Sequence, residues 1–408
     1  MGNIIVGQSG GPTAVINASL AGVFKAGSEH TGIKIFGMIN GIQGLLEKKY
    51  VNLSEEITSE LELELLKRTP SSFLGSCRYK LPEVEEGNEI YEKIFSILKE
   101  LSVDKFFYIG GNDSMDTIKK LQRYANLKNE KILFIGVPKT IDNDLAITDH
   151  TPGFGSACKY IATMVKEIIK DATVYDKKNV TIIEIMGRNA GWLTGACGLT
   201  KSDDCDGVDM IYLPEVEFDI EDFVKKVYNL QKTKKSLVIA VSEGIKNKNG
   251  THICEIEYEN TMLDSFGHKS LSGTAVKLAN ILQKQLGCKT RAIELNTTQR
   301  CASHIMSETD MNESFLAGKY AVKFAFEGKT GKVVIFERTS NDPYTIKFNT
   351  HSVEEIANIE KTVPIEWIDK ENANIKPELL EYIRPLIKGE VYGFMVDGIP
   401  KHLKLKNK

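Results

Sequence analysis

Short runs of β-branched and aromatic residues alternate along this chain with segments whose apolar residues hold a helical spacing. Some runs, such as residues 105–109, are apolar at nearly every position, which is typical of strands buried on both faces and therefore of parallel sheets. Residues 90–101 and 161–168 have the spacing of amphipathic helices. This alternation predicts a doubly wound α/β fold. The predicted strands are residues 3–6, 33–38, 105–109, 132–137, 180–186, 237–242, 291–295 and 332–337.

The length of the chain, 408 residues, is sufficient for two or three domains. We predict two doubly wound parallel-sheet lobes with the active site in the cleft between them. One lobe is predicted to comprise residues 1–150 together with about 297–345, and the other residues 151–296. The alternating pattern weakens after about residue 340, which predicts a C-terminal extension over residues 346–408.

The composition excludes several classes of partner. The net charge is −3 and the basic residues are dispersed, so no electrostatic footprint for nucleic acid is present. The seven cysteines are scattered without a C-x-x-C pair, which favours reduced thiols. Neither a signal peptide nor an apolar run of membrane-spanning length is found. The sequence therefore predicts a soluble cytoplasmic protein with no membrane partner.

Polar, glycine-rich loops follow six of the predicted strands. In open α/β sheets, ligands bind beyond the carboxyl ends of the strands, so these loops predict one large polar crevice. None has the Walker A pattern G-x-x-x-x-G-K-[ST]. The loops comprise residues 7–13, 110–114, 138–144, 187–191, 242–244 and 296–300.

The loops at residues 7–13 and 110–114 place glycines before a predicted helix. Backbone N–H groups at such a helix N-terminus can bind a phosphate, and the helix dipole assists. The second loop also carries the acidic residue Asp113. The alternative interpretation is that Asp113 or Ser114 only caps the helix.

The loop at residues 138–144 combines one cation, Lys139, with two carboxylates, Asp142 and Asp144. A hydroxyl group that attacks phosphorus needs a base to receive its proton and a divalent cation to spread charge. One aspartate can do each job, while Lys139 can hold a phosphoryl oxygen. The alternative interpretation is a turn rich in Asp and Asn.

Four arginines lie in or beside the predicted loops. Arginine suits bidentate contact with a phosphate, although any one of these residues alone could be a solvated charge. Their joint occurrence near strand ends favours a phosphate-binding crevice. They are Arg78, Arg188, Arg291 and Arg300.

In these motifs the chain resembles the phosphofructokinases, with matching order and spacing from residue 3 to about residue 340. The combination of PKTIDND with MGR is highly specific, and Asp113 and Lys139 resemble the pyrophosphate-dependent branch of the family. The resemblance implies that residues 1–150 bind the phosphate donor and residues 151–296 the sugar phosphate. The matching segments are SGGP, FLGS-C-R, GGNDS, PKTIDND, MGRNAGW, VSEG and ELNTTQR.

The resemblance implies a role for each catalytic residue. Asp142 would be the base that deprotonates the 1-hydroxyl of the sugar, and Asp144 would assist it and hold Mg²⁺. Thr140 would contact the transferring group, whose charge Arg78 and Arg188 would stabilise.

The resemblance also implies the residues that bind the substrates. Because the arginines that grip the 6-phosphate can come from a neighbouring subunit in this family, a homodimer or homotetramer is expected. Gly11 would closely approach the transferring group; the sugar would be lined by Met186, Gly187 and Glu243, and its 6-phosphate gripped by Arg291 and Arg300.

Three departures from the family pattern concern the metal and the sugar. Asn112 stands where the usual GGD motif has a metal-binding aspartate, so Asp144 and Asp113 would carry more of the Mg²⁺ contact. Asn179 and Thr297 replace an arginine and a histidine of the ATP-dependent relatives. These two replacements bear on which phosphosugar is bound.

Asp113 and Lys139 are expected to select the donor. Nucleotide-using relatives have glycine at the position of Asp113, and two like charges ~4 Å apart cost roughly 1–4 kcal/mol. The expected reaction is reversible phosphoryl transfer from pyrophosphate to the 1-hydroxyl of fructose 6-phosphate, giving fructose 1,6-bisphosphate and phosphate, within glycolysis or gluconeogenesis. The alternatives are ATP as donor, or sedoheptulose 7-phosphate as acceptor.

Overall fold

The computed structural model describes residues 2–256 and 273–406. Contacts between Cα atoms divide the chain into two compact units. Unit 1 comprises Met1–Ser156, Arg300–Glu360 and Lys388–Lys408, and unit 2 comprises Ala157–Gln299 and Lys361–Ile387. Residues 346–360 and 388–408, from the predicted C-terminal extension, belong to unit 1, and residues 361–387 belong to unit 2.

The chain alternates between strands and helices through most of its length. The strands of the described residues are β1 (Asn3–Gln8), β2 (Ile35–Met38), β3 (Tyr50–Asn52), β4 (Val103–Gly110), β5 (Leu133–Pro138), β6 (Asn179–Ile185), β7 (Met210–Tyr212), β8 (Ser236–Ser242), β9 (Lys289–Glu294), β10 (Lys332–Asn341), β11 (Tyr344–Ser352), β12 (Ile368–Asp369), β13 (Asn374–Ile375), β14 (Met395–Val396) and β15 (Ile399–Pro400). The α-helices are α1 (Ile16–Ser28), α2 (Gly41–Leu46), α3 (Leu53–Glu56), α4 (Glu60–Arg68), α5 (Asn88–Glu100), α6 (Asn112–Lys128), α7 (Phe154–Ala172), α8 (Trp192–Gly195), α9 (Ile220–Leu230), α10 (Thr274–Leu286), α11 (Glu308–Phe326) and α12 (Pro377–Ile383). Single 3₁₀ turns lie at Ala196–Thr200, Ile253–Glu255, Asn296–Arg300, Ser303–Ile305, Val353–Glu355, Ile365–Trp367 and Arg384–Ile387.

Unit 1 is built on a seven-stranded sheet in the order β11-β10-β5-β4-β1-β2-β3. The five strands from β10 to β2 are parallel, and the edge strands β11 and β3 are antiparallel to their neighbours. Side chains of a strand alternate between the two faces, and Ile4 and Val6 pack on one face with residues of α1 and α11. Ile5 packs on the other face with residues of α5 and α6. Helices thus cover both faces, which confirms the doubly wound prediction for this unit.

Unit 2 contains a four-stranded, entirely parallel sheet in the order β7-β8-β6-β9. Every residue of β8 is buried, as expected for a strand covered on both faces. Val180, Ile182 and Ile239 pack with apolar residues of α9 and α10.

The eight predicted strands are all present, with boundaries shifted by a few residues. The sequence pattern missed β3 and β7, which are only three residues long. It also missed β11, which alternates between exposed and half-buried positions and carries few apolar side chains. In the described part of the chain, no helix has both the length and the apolar character needed to cross a membrane.

Candidate active site

Three polar loops of unit 1 lie at the same edge of its sheet. Gln8 at the end of β1 is paired with Ile109, and Gly110 at the end of β4 is paired with Pro138. Because the three strands are parallel and in this register, the loops after β1, β4 and β5 start side by side. The edge is the one at which open α/β sheets bind ligands.

The loop after β1 is held by contacts from two distant segments. Ser76 Oγ donates a hydrogen bond to the carbonyl oxygen of Gly10 at 2.6 Å, and Lys139 Nζ donates one to the carbonyl oxygen of Gly11 at 2.6 Å. A Cβ atom on Gly11 would lie 3.1 Å from Nη1 of Arg300. Gly11, Lys139 and Arg300 are therefore neighbours.

The segment after β5, residues 139–153, closes on itself and is here called the aspartate loop. Thr140 forms a parallel β-bridge with Gly153, and Thr151 Oγ1 donates to the carbonyl oxygen of Thr140 at 2.8 Å. Within the loop, the N–H of Asp142 donates to Thr140 Oγ1 at 3.1 Å. Asn143 has φ +54°, a left-handed conformation that Asn tolerates better than most residues, and it turns the backbone between the two aspartates.

The ionisable groups of the aspartate loop depart from their ordinary behaviour. Burial lowers the pKa of Lys139 to about 8, against the opposing effect of Asp142 and Asp144. Burial and then the charge of Asp142 raise the pKa of Asp144 to about 7. Burial also raises the pKa of Asp142, while Lys139 and Arg300 oppose this effect. Asp144 and Lys139 can thus each gain or lose a proton near neutral pH, which suits acid–base chemistry.

Two buried oxygen atoms fit a hard cation. Among the described residues, Asn112 Oδ1 and Asp144 Oδ1 are buried without a hydrogen-bond partner, and a buried polar atom of this kind is costly unless something binds it. No group of three or more His, Cys, Asp or Glu residues placed to hold a metal occurs in residues 2–256 and 273–406. This donor set suits Mg²⁺, which is usually held by one or two side-chain oxygens together with substrate phosphates and water.

Asp113 is an exposed residue in the first turn of α6. The N-cap of this helix is Gly111, so neither Asp113 nor Ser114 occupies the capping position that the alternative interpretation required. Ser114 instead packs against Gly110, where a Cβ atom would lie 1.8 Å from the serine Oγ. Arg78 is also exposed, and its charge contributes to lowering the pKa of Lys139.

The predicted residues of unit 2 form a second group around the loop after β6. The N–H of Met186 donates to Gln299 Oε1 at 3.1 Å, and the N–H of Gly187 donates to Glu243 Oε1 at 3.3 Å. Gly187 has φ +133°, which favours glycine. Arg188 is half-buried, and its carbonyl oxygen would lie 1.8 Å from a Cβ atom on Gly244. The loops after β6 and β8 are thus packed together backbone to backbone.

Arg291 lies apart from these groups within its unit. It is inside β9 rather than at the end of that strand, and its Nη1 pairs with Asp171 Oδ2 at 2.9 Å on the exposed surface.

The sequence pattern missed Glu360, which lies beside the aspartate loop. An antiparallel bridge joins it to Leu145, and its charge contributes to raising the pKa values of Asp142 and Asp144. Its neighbour Asn358 donates from Nδ2 to Asp116 Oδ1 on α6 at 3.0 Å. No local motif marked this segment, which was expected to carry little function.

Comparisons with known proteins identify the class to which this fold and these loops belong. The family model for phosphofructokinase matches residues 3–325. The chain is 39% identical over 409 residues to the pyrophosphate--fructose 6-phosphate 1-phosphotransferase of Xanthomonas campestris pv. campestris (strain B100), covering 100% of the chain and 96% of that protein. It is 36% identical to the protein of the same name from Halomonas elongata, covering 99% of the chain and 96% of that protein. The crystal structure of pyrophosphate-dependent phosphofructokinase from Nitrosospira multiformis is similar with a TM-score of 0.89 at 36% identity, covering 100% of the chain and 97% of that structure. The chain therefore belongs to the phosphofructokinase family and is an enzyme of the phosphotransferase class.

Proposed function

We propose that this enzyme transfers a phosphoryl group from pyrophosphate to the 1-hydroxyl of fructose 6-phosphate, giving fructose 1,6-bisphosphate and phosphate in a reversible reaction. The observation that supports this reaction most directly is the position of Lys139. Its ammonium group is bound to the loop after β1, and the charges of Asp142 and Asp144 favour its protonated form by raising its pKa against the effect of burial. A cation so placed can bind an inorganic phosphate donor that brings no nucleotide contacts.

Asp142 acts in this proposal as the general base. It accepts the proton of the sugar 1-hydroxyl while the hydroxyl oxygen forms a bond to phosphorus, and the bond from phosphorus to the bridging oxygen of pyrophosphate breaks. The second phosphate leaves with that oxygen and its electron pair. Lys139 binds a phosphoryl oxygen of the donor, and Thr140 contacts the transferring group, whose charge Arg78 stabilises. The half-buried Arg188 stabilises the charge of the same group.

Asn112 and Asp144 hold Mg²⁺ in this proposal, with Asp113 contributing from the first turn of α6. This assignment is supported by their two buried oxygens, which have no hydrogen-bond partner within residues 2–256 and 273–406. When bound, the cation neutralises charge on the oxygens of the donor. Because Asn112 is neutral, Asp144 and Asp113 would supply the negative charge that attracts the cation.

The sugar phosphate is assigned to Met186, Gly187 and Glu243 in unit 2, and its 6-phosphate to Arg291 and Arg300. In this proposal the enzyme is a homodimer or homotetramer, and Arg291, which is exposed on β9, serves the site of a neighbouring subunit. The phosphate donor is assigned to unit 1.

A coupled assay with pyrophosphate and then with ATP, each with and without Mg²⁺, tests the donor. We expect turnover with pyrophosphate and Mg²⁺, and a much lower rate with ATP. The double variant Asp113→Gly with Lys139→Gly should relax this preference toward ATP, with the two single variants as matched controls. Faster turnover of ATP by the unmodified enzyme would refute the donor assignment, and faster turnover of sedoheptulose 7-phosphate at equal concentration would refute the acceptor.

A further inference from the structure

A buried cluster of charged side chains holds the far end of the aspartate loop. His150 in this loop is 2% exposed. Its Nδ1 lies 2.7 Å from Oδ2 of Asp149, and its Nε2 lies 2.7 Å from Oε2 of Glu313 on α11. Each ring nitrogen thus faces a carboxylate oxygen at hydrogen-bond distance.

The geometry fits a protonated His150 between two ionised carboxylates. A carboxylate oxygen only accepts hydrogen bonds, and a neutral imidazole carries one N–H, so it can satisfy only one of the two contacts. An imidazolium donates from both nitrogens. Consistent with this, although burial alone would lower it, Glu313 and Asp149 raise the pKa of His150 above 6.5.

The charges around His150 balance when it is protonated. Asp149 Oδ2 also accepts from Nε and Nη2 of Arg338 on β10, at 3.1 and 2.9 Å, and the hydroxyl of Tyr344 on β11 donates to Glu313 Oε1 at 2.8 Å. Two carboxylates then face two cations. Loss of the proton from His150 leaves an uncompensated negative charge in a buried place, which is strongly unfavourable.

The same region anchors the backbone of the aspartate loop. The N–H of Asp149 donates to the carbonyl oxygen of Phe336 at 2.9 Å, and the N–H of Phe336 donates to Thr148 Oγ1 at 3.0 Å. Asp310, the other acidic residue of α11 near this loop, accepts from the N–H groups of Gly153 and Ser156, each at 2.9 Å. Burial raises the pKa of Asp310 to about 6. The backbone of the aspartate loop is therefore attached to α11 and to β10.

We propose that His150 is a positioning residue for phosphoryl transfer: as an imidazolium between Asp149 and Glu313, it sets the placement of Asp142 and Asp144 through the aspartate loop. The proposal rests on the proposed function, because that function supplies the role of Asp142. Protonated His150 stabilises the loop fully below pH 6.5, and this contribution is lost as the pH rises through the raised folded-state pKa. We therefore expect kcat to fall as the pH rises through the pKa of His150.

The variant His150→Gln tests the positioning role against a matched histidine. His351→Gln removes another histidine–glutamate pair, in which Nε2 lies 3.0 Å from Glu355 on the surface. A small displacement of a catalytic group can cost up to about 10²-fold in rate. We expect His150→Gln to lower kcat about tenfold or more with the KM for the sugar phosphate changed less than about threefold, and its kcat to lose the alkaline decline. A kcat and pH profile equal to those of His351→Gln would overturn the proposal.

A milder variant covers the case in which His150→Gln does not fold. Tyr344→Phe removes only the hydroxyl that donates to Glu313, which leaves Glu313 a better partner for His150. The alkaline decline of kcat should move to higher pH. An unchanged alkaline decline in this variant would contradict the proposal.

Nuclear magnetic resonance of the unmodified enzyme, labelled with ¹⁵N in histidine and free of substrate, tests the charge state independently of activity. We expect the His150 ring to carry protons on both nitrogens at pH 7 and to titrate above pH 6.5. A neutral ring at pH 7 would overturn the proposal whatever the donor assays show. Conversely, a protonated ring in an enzyme that does not use pyrophosphate would refute only the proposed function.

Discussion

The ammonium nitrogen of Lys139 lies 2.6 Å from the carbonyl oxygen of Gly11 and joins the loop after β5 to the loop after β1. The two residues are 128 positions apart in the chain. The bond fixes the lysine before any phosphate arrives, so the enzyme does not have to order this flexible side chain on binding. Burial keeps the pKa of Lys139 at about 8, so its charge responds to mildly alkaline conditions.

Replacing Lys139 by methionine should weaken the use of pyrophosphate. The loss of one charged hydrogen bond to the donor, about 1.5–3 kcal/mol, corresponds to a decrease of roughly 10- to 100-fold in kcat/KM for pyrophosphate. In the unmodified enzyme, the KM for pyrophosphate should rise above pH 8 as the ammonium loses its proton, and this rise should be absent in Lys139→Met. Steady-state kinetics from pH 6.5 to about 9.5 measures both effects, with the exposed Lys225→Met as the control. The same alkaline rise in KM in Lys139→Met would show that another group titrates.

Replacing Asp142 by asparagine should remove the general base while retaining the shape of the side chain. General base catalysis contributes about 10²–10⁴-fold, so kcat should fall by that factor. The affinity for fructose 6-phosphate, measured by calorimetry, should change little, because the sugar is assigned mainly to Met186, Gly187 and Glu243. Asp222→Asn, an exposed change on α9, is the control. A kcat within about twofold of the unmodified enzyme would exclude Asp142 as the base.

Replacing Asn112 by aspartate should strengthen Mg²⁺ binding. The affinity of an oxygen site depends on its ligand charge, and the change places a carboxylate where Asn112 Oδ1 is buried without a partner among the described residues. We expect the affinity for Mg²⁺, titrated calorimetrically with a non-hydrolysable pyrophosphate analogue present, to rise roughly tenfold. Asn126→Asp, near the other end of the same helix, should leave it unchanged. Weaker or unaltered Mg²⁺ binding in Asn112→Asp would argue against the proposed cation position.

Replacing Asp144 by asparagine should stabilise the metal-free protein at alkaline pH. The pKa of Asp144 rises from 3.8 to about 7 on folding, so the folded state binds the proton more tightly and this group destabilises the fold as the pH rises between those values. The free energy of unfolding of Asp144→Asn should exceed that of the unmodified protein by about 1–3 kcal/mol at pH 8, with much less difference at pH 5. Urea denaturation at both pH values measures this, with the exposed Asp206→Asn as the control. An equal difference at pH 5 and pH 8 would contradict the raised pKa.

The longer strands and most of the polar loops could be predicted from the local sequence pattern. Continuous apolar runs marked β4 and β8, because a strand buried on both faces is apolar at most of its positions. Edge strands carry no such signal: β11 is exposed at alternate positions and was missed. The short elements of residues 346–408 are divided between the two units, so this segment has no regular alternation that a local pattern could reveal.

Local motifs in the chain were sufficient to identify the family and the glycine loops, and to propose Lys139, Asp142 and Asp144 as site residues, because each motif is contiguous. The tertiary structure alone decided what surrounds them. It brought Glu360 beside the aspartate loop through the bridge to Leu145, and it raised the pKa of Asp144 through burial, which depends on neighbours far away in the sequence. The contact of His150 with Glu313, 163 residues away, has the same origin: only the packing of α11 against the loop places the second carboxylate on the imidazole ring.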